Sequence, residues 1–179
     1  MQHLIILPGN SVKNRTWGEV MRDHYGPHFA SVHLAEYDHW ESAAPMIDFD
    51  AELQKLHERD TSLFAGSELI VMAKSAGSLL AFVACAEGIL TPTKCIFFGI
   101  PFDLAAKDLF KDDWGAVSTL IAPTLVFHNE ADPTTDYRFT AATLAHYLPS
   151  ATLITTHESD HWYGDTKTYD PVITEFLSS

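Results

Sequence analysis

Three polar side chains stand in an order that suits acyl transfer: Ser75, Asp132 and His161. A serine hydroxyl is a poor nucleophile until a base takes its proton, and an imidazole base needs an acid to hold it in the right tautomer. Ser75 lies in Ala73-Lys74-Ser75-Ala76-Gly77, between the apolar run Leu69–Met72 and the apolar stretch Leu79–Ala86. That is the pattern G-x-S-x-G with Ala in place of the first Gly. A serine lifted on a strained strand-to-helix turn presents its hydroxyl, and its neighbours at two before and two after must be small because strand and helix nearly touch. The plain alternative is a serine that merely caps a buried helix.

Asp132 precedes Pro133 after the run Thr124–His128, and His161 follows Thr152–Thr155 in Glu158-Ser159-Asp160-His161-Trp162. In an α/β fold with such a serine turn, the order along the chain should be Ser, then Asp or Glu, then His. Each has competitors. Glu130 and Asp136 are rival acids, Asp132 also suits a turn or a helix cap, and His157 and Asp160 stand beside His161 among 10 histidines. His157 and His161 are four apart, a spacing that pairs two metal ligands on a helix, but this segment carries no helix signal, and no metal is expected. The oxyanion that forms in acyl transfer needs two N–H donors. The candidates are Ala76, just after the nucleophile, and Asn10 in the loop Pro8-Gly9-Asn10-Ser11. A dinucleotide phosphate loop is disfavoured there, because Gly9 has no glycine partner before Gly18.

The elements that must hold these residues are legible as alternating short and long patterns. Strands are expected at His3–Leu7, Ser31–Ala35, Glu68–Ala73, Lys94–Gly99, Thr124–His128 and Thr152–Thr155. Several are near-continuous apolar runs, as in a parallel sheet covered on both faces. Helices are expected at Trp17–His24, Asp50–Phe64, Gly77–Glu87, a broken stretch over Leu104–Leu120, Thr135–Tyr147 and Pro171–Leu177. Strict alternation implies an α/β, doubly wound, six-stranded and mostly parallel sheet with helices on both faces. Ligands of such sheets bind outside the carboxyl ends of the strands, where all the candidate residues fall.

Composition narrows the function further. The chain has 179 residues, 46% hydrophobic and 20% charged, enough for one core and against disorder. A formal charge of −13 argues against nucleic acid and anionic membrane surfaces as partners. Cys85 and Cys95 sit in apolar runs and read as free thiols of a reducing compartment. The opening apolar run is too short for a signal-peptide core and lacks a basic leader, so a cytoplasmic location is expected.

With Ile5-Ile6-Leu7-Pro8-Gly9-Asn10, Trp17, the Ser75 turn, Asp132-Pro133 and His161 followed by an aromatic, the chain resembles the small α/β-hydrolases without a cap domain. Within them its Pro-Gly-Asn opening is similar to the retinoblastoma-binding serine hydrolases. The resemblance implies strand order 2-1-3-4-5-6, one domain over residues 1–179 in a minimal α/β-hydrolase fold, and a Ser-His-Asp hydrolase needing no cofactor. It also marks two departures, Ala73 where Gly is usual and Lys74 where His is common. Lys74 is read as a solvated flank. The expected substrate is a small ester, thioester or amide whose acyl group passes to Ser75, with Phe102 and Trp162 as candidate walls of the acyl pocket. Trp17 and Tyr163 are further aromatics near the mouth, Trp17 reading better as packing. The competing function is a non-catalytic binding protein on the same fold. No protein partner can be named from the sequence.

Overall fold

The computed structural model describes residues 1–42, 44–58, 67–110 and 114–179, with the side chains of 106–108 left out of account. Six strands, β1 (Gln2–Leu7), β2 (Ser31–Leu34), β3 (Glu68–Lys74), β4 (Lys94–Phe98), β5 (Thr124–Asn129) and β6 (Thr152–Thr156), form one sheet in the order β2-β1-β3-β4-β5-β6. Every pairing between neighbouring strands is parallel. Parallel neighbours need crossovers, and helices supply them: α1 (Lys13–Tyr25), α2 (Phe49–Glu58), α3 (Ala76–Ala86), α4 (Phe102–Asp108), α5 (Gly115–Ser118), α6 (Tyr137–Tyr147) and α7 (Thr166–Ser178). The strand order is the one the resemblance implies.

Side chains alternate across the sheet and so split the core in two. Ile5, Leu7, Val71, Ala73, Phe97 and Val126 face the layer of α2 to α6. Leu4, Ile6, Met72, Phe98 and Phe127 face α1 and α7, where Trp17, Tyr169 and Ile173 cover them. The central strands β3, β4 and β5 are buried almost throughout, which is why they read as unbroken apolar runs, whereas the edge strands β2 and β6 are half-exposed and more polar. Helix α3 is buried along most of its length, with Leu80, Ala81, Phe82 and Ala84 fully covered. Cys95 is buried and Cys85 partly so, both as free thiols, and burial pushes the Cys85 thiol up to about 12. No helix among the described residues is long and apolar enough to cross a membrane.

Several boundaries differ from expectation. The helix expected to start at Pro171 starts at Thr166, because the Asp165 side chain accepts the Lys167 N–H at 3.2 Å and opens the helix a turn earlier. Pro171 is then carried inside it. The expected helix over Asp50–Phe64 is seen from Phe49 to Glu58, and its remainder lies outside the described residues. The broken stretch after β4 resolves into α4 and α5, with 111–113 outside the described residues.

Candidate active site

Ser75 occupies the junction of β3 and α3 with φ 53 and ψ −127, one of two non-glycine residues at positive φ among those described. A side chain at such angles is strained by about 1–3 kcal/mol, so the surrounding structure must impose it. Its N–H is held by the Phe98 carbonyl at 2.9 Å, one strand away, while its own carbonyl accepts from Ser78. Two residues on, Gly77 is packed against β1 so closely that a Cβ there would come within 2.1 Å of the Leu7 carbonyl oxygen. Ala73, on the strand side, is fully buried and its methyl is accommodated. The strand, the turn and the close helix thus explain each small residue of the pattern.

Asp132 leaves the end of β5 with its side chain fully covered. Oδ1 accepts the N–H groups of Thr134 at 2.8 Å and Thr135 at 3.2 Å, and Oδ2 accepts His161 Nδ1 and the Tyr163 hydroxyl, each at 2.7 Å. Burial pushes this carboxyl up, but the hydrogen bonds from His161, Tyr163 and Thr134 outweigh it and hold the group below the usual carboxylate range. A carboxylate can only accept, so Nδ1 of His161 carries the proton. Nε2 is then the lone-pair nitrogen. It is buried without a hydrogen-bond partner, and His161 lines the same cavity as Ser75. An imidazole held this way is set to accept a proton from a hydroxyl.

The rivals are accounted for. Asp136 is the N-cap of α6, accepting from Phe139 N at 2.7 Å. Glu130 is exposed and pairs at 3.2 Å with His157, which is more exposed still, so neither carries the contact that Asp132 makes with His161. Asp160 accepts the Trp162 N–H at 2.7 Å, and its carbonyl takes the Asn129 side-chain amide.

Behind the imidazole, Gly99 ends β4 at φ 53, and a Cβ on it would meet the Tyr163 ring at 2.6 Å and His161 Cε1 at 3.0 Å. Tyr163, itself at φ 52, is buried, and its oxygen accepts the Asn129 N–H at 3.0 Å while donating to Asp132. From sequence, Tyr163 is only one of several aromatics near the mouth. Its role as partner of the acid had no local signal.

Asn10 is fixed by its polar atoms. Its carbonyl accepts from His39 Nε2 at 2.6 Å and Trp40 Nε1 at 2.8 Å, and its side chain bridges the Pro45 carbonyl and the Ile47 N–H. The loop after β1 is therefore held in place where it passes Ser75, a Cβ on Gly9 lying 3.1 Å from Ser75 Cβ. Ala76 opens α3, where a first-turn N–H has no acceptor within the helix. Asn10 and Ala76 both line the cavity beside Ser75.

That cavity holds about 570 Å³, and its wall is mainly apolar, with Met46, Ile47, Phe49, Leu79, Leu104 and Leu109 prominent. The two residues expected to line it do not. Phe102 is fully buried beneath it, packed on Phe82 and edge-on to Trp114. Trp162 turns outward and is 39% exposed, because the Asp160 turn and the positive φ of Tyr163 send residue 163 inward in its place. Trp17 is buried packing, its indole N–H bonded to the Tyr163 carbonyl.

Lys74 also departs from expectation. It is 2% exposed, not a solvated flank, because residue 74 continues the β3 alternation toward α1. Its ammonium donates to Asn14 Oδ1 at 2.6 Å. Burial pushes the amine down to about 8, against the upward pull of Asp132 and Asp160.

Comparison with known proteins bears on the fold. A family model described as TAP-like protein, an α/β-hydrolase family, matches residues 93–179, just under half of the chain and the part that carries Asp132 and His161. No curated protein sequence matches the chain. Among solved structures, Est1E from Butyrivibrio proteoclasticus with ferulic acid bound superposes with a TM-score of 0.70 at 13% identity, covering 99% of this chain and 88% of that one. An esterase from Exiguobacterium antarcticum gives 0.69 at 12% identity, with 100% and 92% covered. Esterase 2 from Thermogutta terrifontis, phosphoramylated by tabun, gives 0.65 at 15% identity, with 99% and 82% covered. The chain has the α/β-hydrolase fold.

Proposed function

We propose that this protein is a serine hydrolase that cleaves a small ester, thioester or amide through an acyl-enzyme on Ser75. The observation that carries the reading is His161: Nδ1 is tied to a buried carboxylate, Nε2 is buried and unpaired, and the residue lines the same cavity as Ser75. Ser75 Oγ attacks the substrate carbonyl as Nε2 takes its proton, and that proton passes to the leaving group as the acyl–leaving-group bond breaks. Water then attacks the acyl-enzyme with Nε2 again as base, and the acid departs with Ser75 restored. Asp132 orients the imidazole and stabilises its charged form, while the N–H groups of Asn10 and Ala76 receive the negative oxygen. The apolar wall of the cavity suits a neutral acyl group, which fits the acidic character of the chain. The likeness to retinoblastoma-binding serine hydrolases rests on Pro8-Gly9-Asn10, and it is part of this proposal.

The test is covalent labelling by a fluorophosphonate together with hydrolysis of p-nitrophenyl acetate. Wild type should be labelled at Ser75 and turn over, and Ser75→Ala should do neither while keeping its fold. Wild type that remains unlabelled and inert would reduce the molecule to a binding scaffold.

A further inference from the structure

We propose that the side-chain amide of Asn14 is a third donor to the substrate's carbonyl oxygen, and that Lys74 is the positioning residue that decides which way that amide faces. The inference rests on the acyl-transfer reading above and adds to it a residue outside the Ser75–His161–Asp132 set.

An ammonium has hydrogens to give and no lone pair to offer. The 2.6 Å contact between Lys74 Nζ and Asn14 therefore assigns Oδ1 to the lysine side and turns Nδ2 the other way. What Nδ2 faces is set by Gly9. A Cβ on Gly9 would lie 2.8 Å from Asn14 Nδ2 and 3.1 Å from Ser75 Cβ, so the amide nitrogen and the nucleophile flank one point that glycine leaves open. Asn14 and Ser75 both line the cavity, and Asn14 is 8% exposed. Among the described residues Nδ2 has no acceptor, whereas Oδ1 has a charged donor. Asn14 lines the cavity, so its free donor is open to an acceptor that enters there. A substrate carbonyl oxygen is such an acceptor, and the oxyanion it becomes is a better one.

The cation adds to the effect. A hydrogen bond from an ammonium to Oδ1 polarises the amide and strengthens Nδ2 as a donor. Its positive charge also favours negative charge forming nearby in a site shielded from water. Burying an ammonium is unfavourable in itself. Asp132 and Asp160 are the charged groups that offset this, from the loops after β5 and β6. A lysine that served only to fill space beside α1 would be better replaced by an apolar side chain.

The decisive variant is Asn14→Asp, which keeps the shape and the partner of Lys74 but replaces the donor with an acceptor. Steady-state hydrolysis of p-nitrophenyl acetate should show kcat lowered roughly 10- to 100-fold with KM within about threefold of wild type. Asn14→Ala should lose a similar factor. Lys74→Met should lose less, and the double variant Asn14→Ala/Lys74→Met should be no slower than Asn14→Ala alone, because Lys74 acts through Asn14. The double variant also covers the case in which Asn14→Ala alone is lost to unfolding around an unpaired lysine. If Asn14 only accepts from Lys74, Asn14→Asp keeps the wild-type kcat, and that result overturns the proposal. Additive losses in the double variant overturn the role of Lys74. A wild type that fluorophosphonate does not label overturns the acyl-transfer reading and this one with it; a labelled wild type with an unimpaired Asn14→Asp overturns this one alone.

Discussion

The hydroxyl of Tyr163 and the carboxylate of Asp132 meet at 2.7 Å on the oxygen that also receives His161. One carboxylate oxygen thus serves the imidazole and a buried phenol together, and the phenol in turn satisfies the Asn129 N–H. The acid is held from four sides, by two backbone N–H groups, a ring and a hydroxyl.

Tyr163→Phe should keep the ring packing and remove one donor from Asp132 and the acceptor of the Asn129 N–H. A lost hydrogen bond to a charged group with a buried donor left unpaired costs about 1–3 kcal/mol of stability. Urea unfolding should register that loss, and kcat should fall roughly 3- to 30-fold as the acid loosens. Unchanged values in both measurements would remove Tyr163 from the account.

The three candidate acids separate by amide substitution. Asp132→Asn should lower kcat by on the order of 10³–10⁴, because the amide favours the wrong imidazole tautomer. Glu130→Gln and Asp136→Asn should stay within roughly tenfold of wild type, a loss of about 1.4 kcal/mol or less. Asp136→Asn touches only a helix cap and Glu130→Gln only a surface pair. A deep loss at Glu130 with a mild one at Asp132 would move the acid.

Backbone strain at Ser75 can be read by two replacements. Ser75→Ala and Ser75→Gly should both abolish turnover, but only glycine relaxes at φ 53. Ser75→Gly should therefore be more stable than Ser75→Ala, by about 1 kcal/mol or more once the strain of 1–3 kcal/mol is set against glycine's entropy. Equal melting temperatures would mean the turn is not strained.

Lys74 should leave a signature in stability against pH. Its amine is pushed down to about 8 in the folded chain, against about 10.4 when unfolded. Below pH 8 both states carry the charge and the folded state bears the full burial cost. Between about pH 8 and 10.4 the folded state gives up its proton first, so this residue's contribution to stability rises with pH. Asp132 and Asp160 face the amine from the loops after β5 and β6, and Asp132, held below the usual carboxylate range, stays ionised throughout that window. Measured from pH 7 to 9.5, wild type should gain on Lys74→Met by on the order of 2 kcal/mol. A flat difference would place the amine in water.

The strands and their order of chemistry were legible in the sequence because both are local or nearly so. Short unbroken apolar runs such as Leu69–Met72 suit a strand covered on both faces, and Ser75 and Asp132 each follow such a run, while His161 follows the more polar edge strand β6. Small residues around Ser75 declare a close approach, and the Leu7 carbonyl against Gly77 is that approach. What tertiary structure alone decided is which way a side chain turns once it leaves an element. Trp162 and Tyr163 are adjacent aromatics with no difference in pattern, yet a positive φ at 163 sends one into the core and the other to solvent. Phe102 suits a pocket wall by composition, but α3 and Trp114 enclose it. Lys74 is charged and so reads as exposed. It is buried because strand alternation aims it at α1, where Asn14, sixty residues earlier, meets it. Periodicity and turn chemistry act over a few residues, whereas burial and hydrogen-bond pairing depend on elements brought together from across the chain.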